Sequence, residues 1–389
     1  MFQNCSCLID TETLAFLKQQ TWPCREEDMS VTSRQLPNEK RIAREIERIL
    51  VQRLPAGWSI ETRRNAAQAG EELLDLLVEV TPSSGETARF AVGIERSVEP
   101  RAAKPTAEKI LTLAASAKSG AIPVVAAGYL SARTRKLLDD CGVGYVDTTG
   151  NVRLVSSTPG LAVLTQGAYN DPWPQAVDLQ TLRGRGAARA VRAIVDTAPP
   201  FGIRELADAT SASAATLSRV VGLLEREAIV TRQPRGPVAE VNWQAAIRRW
   251  AEDYGQTSSN TPTAFLDPRG LPSFEKKLKS SKIAYAATGA IAAQQFNPVA
   301  PARIAAVYVD DASEAADGLG LRETDAGANV VLLEPLDPVV FERATTRGGL
   351  RCVAASQLAA DLLTGPEREP SQGEEMLEWM QENEIAWRT

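Results

Sequence analysis

Apolar and polar positions recur along this chain with two periods, one helical and one alternating, and the switches between them mark its organisation. The helical period is clearest between Pro199 and Trp243. Ile203, Leu206 and Ala207 share one face of a short helix, and Leu217, Val220, Val221 and Leu224 repeat the i, i+3, i+4, i+7 spacing on the next. Thr210 to Ser213, between them, is rich in small hydroxyl residues that compete for backbone hydrogen bonds, so a turn is predicted there with Ser213 as N-cap. A β-hairpin tipped by Pro234, Arg235 and Gly236 follows.

Upstream, Ile42, Ile46, Ile49 and Leu50 mark a helix that begins at Asn38 and ends at Leu54-Pro55-Ala56-Gly57. Leu73 to Val80 and Phe90 to Ile94 read as paired strands around Pro82-Ser83-Ser84-Gly85. Helix at Ala107 to Lys118, strand at Ile122 to Ala127, helix at Ser131 to Asp140 and strands at Val143 to Asp147 and Val152 to Val155 complete an α/β layer pattern. Downstream, the pattern predicts a helix from Gln244 to Tyr254, a loop from Asn260 to Pro272 and helices at Ser273 to Leu278 and Ala284 to Gln295. Strands at Ile304 to Val309 and Val330 to Leu333 follow, then helices at Val353 to Thr364 and Glu374 to Asn383. The chain divides into a flexible tail (1–37), an α/β domain (38–168), a proline-bearing linker (169–181), the helix-turn-helix region (182–254) and a second α/β domain (255–389).

Helix, turn, helix and hairpin is the order of a winged helix-turn-helix, whose second helix enters the major groove by its N-terminal half. Ser213, Ala215, Thr216 and Arg219 would then face base edges. The Arg219 fork suits guanine O6 and N7 together. Arg232 and Arg235 flank the wing turn, within reach of a phosphate or the minor groove. Arg183, Arg185, Arg189 and Arg192 decorate a preceding helix from about Gly186 to Asp196, and the Arg183-Gly184-Arg185-Gly186 opening suits close backbone approach to phosphates.

Charge distribution strengthens this reading. The chain carries −6 overall, yet residues 182–250 hold eleven Arg, no Lys and six acidic residues, a local +5 against −11 elsewhere. Basic charge is concentrated where the helix-turn-helix lies.

Other chemistry is narrowed by composition. The absence of histidine removes Ser-His-Asp and Cys-His catalysis and His-ligated zinc. Cys5, Cys7 and Cys24 match no standard zinc spacing, and Cys141 and Cys352 are isolated, so reduced thiols without a metal are expected. No apolar run reaches the roughly 20 residues of a membrane span, and no secretory signal is evident. The reading is a cytoplasmic protein without membrane, metal, cofactor or catalytic residues.

The N-terminal pattern resembles the restriction-endonuclease-like fold, which carries an Asp on one strand and an acidic-x-Lys triplet on the next. Asp75 occupies the first position, but the triplet reads Gly93-Ile94-Glu95, so the resemblance implies an inactive form. A peptide dense in turn residues, Gly144-Tyr145-Val146-Asp147-Thr148-Thr149-Gly150-Asn151-Val152-Arg153-Leu154, reads as a structural hairpin. Its sharper alternative is a DNA-backbone contact made by exposed Asn151 and Arg153. The C-terminal domain is similar to a minimal nucleotidyltransferase fold in which Gly289-Ala290 replaces Gly-Ser, and adjacent Asp310 and Asp311 would point to opposite strand faces.

Residues from about Arg183 to Met380 resemble actinobacterial proteins grouped with the AbiEi antitoxins of type IV toxin–antitoxin systems, and together with the N-terminal domain the resemblance covers most of the chain from Asn38 onward. The phrases that carry this are the Gly144–Arg153 peptide, Asp171-Pro172-Trp173-Pro174, Asp267-Pro268-Arg269-Gly270, Ala328-Asn329-Val330 and Asp361-Leu362-Leu363-Thr364-Gly365-Pro366. The resemblance implies a sequence-specific DNA-binding transcriptional regulator, an antitoxin-type autorepressor. Double-stranded DNA, a second copy of the chain and a nucleotidyltransferase toxin would be its partners. The alternative is a metal-dependent DNA-processing nuclease.

Overall fold

The computed structural model describes residues 36–54, 56–66, 74–83, 85–116, 120–173, 181–234, 236–297 and 301–389. Arg235, Cys5, Cys7, Cys24, the tail expected over 1–35 and the centre of the expected linker lie outside the described residues.

The protein is a mixed α/β chain built on two large seven-stranded mixed sheets. In the first unit, helix α1 (Glu39–Arg53) is followed by β1 (Ser59–Ala66), β2 (Leu74–Thr81), β3 (Ala88–Ile94), α2 (Pro100–Ser116), β4 (Ile122–Ala127), α3 (Ala132–Asp140), β5 (Gly144–Asp147), β6 (Val152–Ser156) and β7 (Leu161–Thr165). The sheet runs in chain order from β1 to β7. Only the β3–β4 and β4–β5 pairs are parallel. Period-2 alternation sends Leu76, Val78, Val80, Phe90, Val124 and Ala126 toward α1, while Ala91, Val125 and Ala127 pack against α2 and α3. Three layers result, with Asn38 and Ser131 capping α1 and α3 as their residue types predict.

Between the two sheet units lie α4 (Arg185–Asp196), α5 (Ile203–Ala209), α6 (Ala214–Arg226) and a hairpin of β8 (Val230–Arg232) and β9 (Val238–Val241), followed by α7 (Trp243–Ala251). The last unit continues through β10 (Thr261–Leu266), α8 (Leu271–Ser280), β11 (Tyr285–Thr288), α9 (Gly289–Ala293), β12 (Ala305–Val309), α10 (Ala312–Leu319), β13 (Arg322–Glu323) and β14 (Val330–Glu334). A 3-10 turn (Pro338–Phe341), β15 (Thr345–Arg347), β16 (Leu350–Cys352), α11 (Ala355–Leu363), α12 (Glu369–Glu382) and α13 (Glu384–Trp387) complete it. Its strand order is β13-β10-β14-β12-β11-β16-β15.

Three expectations are corrected here. The loop expected over Asn260 to Pro272 contains β10, which pairs with β14 along its length. Pro262 is tolerated because β13 covers only the Phe265–Leu266 end of that strand. The helix expected from Ala284 begins as strand β11, since Tyr285 to Thr288 pair with β12, and only Gly289–Ala293 is helical. Asp311 is an N-cap, its carboxylate accepting from the Glu314 N–H at 2.8 Å, so it starts a helix that the apolar pattern did not announce.

Helices α4 to α7, the β8–β9 hairpin and the C-terminal sheet share one hydrophobic core that runs from Leu182 to Met380, with Tyr254 packed against it. Trp250 stacks on Tyr254 with ring centroids 4.7 Å apart, and Trp243 meets Trp387 edge-on at 5.0 Å. No described helix is long and apolar enough to cross a membrane.

Candidate nucleic-acid interface

The helix-turn-helix is built by short-range instructions. Leu217, Val220, Val221 and Leu224 are all fully buried on one side of α6, and Leu206 meets them from α5. Ser213 caps α6 as expected, its Oγ accepting from the Thr216 N–H at 3.3 Å. The turn is tightened by Thr210, whose hydroxyl donates to the Leu206 carbonyl at 2.7 Å.

On the outward side, Ser213, Ala215 and Arg219 are exposed, as are Ala214 and Ser218. Arg219 lies along its own helix, with Nε donating to the Ala215 carbonyl at 3.3 Å. Thr216 is half-buried, and its hydroxyl accepts from the Ser213 Oγ at 2.9 Å. Its methyl faces Gly186, where an added Cβ would stand 3.4 Å from Thr216 Cγ2. That close approach brings the start of α4 beside the start of α6. Arg183 and Arg185 are both exposed at this point. Gly184 precedes α4 at φ 86° and offers no side-chain cap, so the first N–H groups of α4 keep their positive end free. Arg232 is half-buried in the wing, and its buried Nε has no protein partner.

Of the arginines expected on this basic face, Arg192 turns inward and Arg189, partly exposed, is held in an ion pair. Arg192 is 2% exposed. Its Nε donates to Asp196 at 3.1 Å, and its Nη atoms reach the Val339 and Glu342 carbonyls and Gln357. Arg189 grips Asp337 with Nε and Nη2 at 2.9 Å. Arg248 and Arg249 are also paired, with Glu374 and with Glu227 and Asp253. The concentration of positive charge in the sequence therefore overstates what is free to meet a partner: Arg192 and Arg249 lie inside, and Arg189 and Arg248, though partly exposed, are each paired with a carboxylate. The i, i+4 spacing of Arg192 and Asp196 is the signal that identifies one of these pairs.

The Gly144–Leu154 peptide is a structural hairpin. Asp147 is fully buried and accepts from the N–H groups of Leu130, Thr149 and Asn151, the Thr149 hydroxyl and the Asn151 amide. Asn151, expected at the surface, is buried, and its Oδ1 accepts from Arg135 at 2.6 Å. Arg153 pairs with Asp139 at 2.8 Å. The turn residues organise around a buried carboxylate because its charge needs several donors once water is removed.

One contact that the sequence did not suggest joins the first unit to the end of α6. Arg133, on α3, donates to the carbonyls of Glu227 and Ala228 just beyond the end of α6. A guanidinium there satisfies orphan carbonyls and favours the negative end of the helix. Burial lowers the Arg133 pKa, and Glu227 and Glu252 counteract it.

No protein-family model, curated protein or solved structure matches the chain.

The positions singled out for metal chemistry hold internal contacts. Asp75 accepts from the Ile94 N–H at 2.8 Å, and the described residues contain no group of three or more acidic or cysteine side chains placed to hold an ion. Supercoiled plasmid incubated with the full chain and Mg²⁺ or Mn²⁺ is expected to remain intact. Metal-dependent nicking that disappears in Asp75→Ala would reverse that expectation.

At the Thr288-Gly289-Ala290 turn, side chains of the protein fill the space. Thr288 donates to Asp361 at 2.6 Å, and Ala290 N–H donates to Glu369 Oε1 at 3.1 Å. Asp361 is fully buried under Tyr254, Tyr308 and Gln357 as well. Burial raises its pKa and outweighs those donors. Burial also pushes Glu369 up to about 7, with Asp361 and Glu367 adding repulsion.

A carboxyl whose folded pKa lies above its unfolded one stabilises the fold at low pH and loses that contribution as pH rises through about 7. Glu369→Gln, which stays neutral, is expected to unfold with near wild-type stability at pH 4, below the unfolded carboxyl value. At pH 8 it should be on the order of 2 kcal/mol more stable than wild type. Thermal unfolding at the two pH values checks this, and identical pH profiles would refute it.

Proposed function

We propose that the chain is a cytoplasmic, sequence-specific DNA-binding transcriptional regulator that reads the major groove with α6. One observation carries the reading. The solvent side of the first half of α6 presents small side chains and Arg219 to a partner, directly beside Arg183, Arg185 and the uncapped start of α4. Small residues allow close approach to base edges, the Arg219 fork matches guanine, and the α4 segment offers charge and backbone N–H groups to phosphates. The β8–β9 wing, with Arg232 and Arg235, would follow the backbone on the other side.

Around this element the two sheet units support rather than catalyse. The endonuclease-like reading of the first unit and the nucleotidyltransferase-like reading of the last are likenesses of pattern, and the residues that such chemistry needs are replaced in both. The resemblance to AbiEi-type antitoxins suggests an autorepressor that binds an inverted repeat as a dimer and contacts a nucleotidyltransferase toxin.

The test is selection of bound duplexes from a random pool by the full chain, followed by binding titrations at two salt concentrations. An enriched motif that outcompetes scrambled duplex is expected. Equal retention of all sequences would remove the regulator reading.

A further inference from the structure

The two edges of the first sheet differ in character. At one, β1 exposes Glu61, Arg63 and Arg64, charges that discourage a further strand. At the other, β7 (Leu161–Thr165) is bare, because no residue between Arg153 and Asp171 carries a charge. Among the described residues β7 pairs with β6 alone, and its N–H and C=O groups make no backbone hydrogen bond to any other segment. In an antiparallel ladder alternate residues aim both groups to the outer side, so β7 offers a neutral template for one more strand.

Its side chains add an apolar row to that template. Leu161 and Val163 turn into the core beneath α1. Ala162 and Leu164 are exposed on the opposite face, Leu164 to 64%. Val155, on β6 directly opposite Ala162, is 42% exposed on the same face.

We propose that β7 pairs antiparallel with β7 of a second copy of this chain, joining the two sheets across a two-fold axis. Charge selects this occupant. Pairing β7 on β1 of another copy would bring Glu61, Arg63 and Arg64 to the seam and leave a bare edge at the end of every assembly, the route to open filaments. Two β7 strands desolvate no charge and close as a dimer. Register follows from the faces. A pair that keeps the buried face continuous and uses the whole strand is centred on Val163, which sets Leu161 of one copy against Thr165 of the other and Ala162 against Leu164. The small Ala162 then lies between Val155 of its own sheet and the large Leu164 of the other copy. This names a surface for the dimer expected on an inverted repeat. The pairing itself does not rest on the DNA-binding reading, whereas its consequence, two copies of α6 on one duplex, does.

Sedimentation of the full chain without DNA, over about 1 to 100 µM, is expected to show a species of twice 41.9 kDa. Ala162→Glu combined with Leu164→Glu places carboxylates against each other at both cross-pairs, and should weaken dimerisation at least about tenfold. Ala162→Lys combined with Leu164→Glu sets opposite charges at the same two pairs, and should dimerise at least about tenfold more tightly than the doubly acidic variant. Both positions are exposed, so each variant should melt at the wild-type temperature. A monomer throughout the series, a dimer that the two glutamates leave intact, or a Lys–Glu variant no tighter than the doubly acidic one would overturn the proposal. A dimer with the expected pattern in a chain that selects no duplex would uphold the interface and defeat the regulator reading instead.

Discussion

Arg192→Met is expected to destabilise the protein by about 3–5 kcal/mol, the usual result of removing one member of a buried ion pair. The guanidinium satisfies Asp196, the carbonyls of Val339 and Glu342, and the Gln357 side chain at once. Asp196 is itself buried and accepts a second hydrogen bond from Ser356. Methionine fills the volume but leaves the Asp196 carboxylate with one donor, removes the Arg192 contact from the Glu342 carbonyl, and leaves the Val339 carbonyl with only the Glu342 N–H. Replacing Asp196 by Asn in the same chain removes the stranded charge, so the double variant should recover part of the loss. Thermal unfolding of the three variants measures this, and a single variant that melts at the wild-type temperature would contradict it. A further readout is cooperativity. Because Arg192 ties α4 to the segment before β15, its loss should separate the unfolding of the α4–α6 helices from that of the sheet behind them.

The second large effect concerns recognition. Arg219→Ala should weaken the best duplex by about 1–3 kcal/mol and flatten preference at one base position, the cost of a lost bidentate contact. Arg185→Ala should weaken every duplex alike and reduce the slope of log affinity against log salt by about 1, because it removes one phosphate contact. The contrast separates reading from holding. Both arginines are exposed and touch no core residue, so folding should be unaffected, which a melting curve confirms. If neither replacement alters affinity, slope or preference, the placement of DNA on α6 is incorrect.

Local physics explains what could be read from residues alone. The α6 stripe and its Ser213 cap depend only on neighbours within four positions, and both are found where the spacing puts them. The paired apolar strands β2 and β3 were legible for the same reason. Strand β1, Ser-Ile-Glu-Thr-Arg-Arg-Asn-Ala, was not, because it pairs on one side only and carries charge that blunts a free edge. Direction was the harder problem at polar positions. The density of turn residues around Asp147 was visible, but a buried carboxylate draws its donors inward, and nothing in the spacing shows on which side of a hairpin the solvent lies. The burial of Arg192 and the pairing of Arg189 were not legible because Gln357 and Asp337, which hold them, lie about 150 positions away.

The shared core also bears on how such a chain could change its target. A reading head docked through a thin polar seam can be exchanged between proteins as a cassette. Here a cut after residue 254 would pass beside the Trp250–Tyr254 stack and the buried Asp361 network, leaving open apolar surface on both halves. If α6 reads DNA as proposed, recombination is therefore a poor route to a new target for this architecture. Point replacement remains open at Ala215, Ser218 and Arg219, which face solvent and can vary without disturbing anything beneath them.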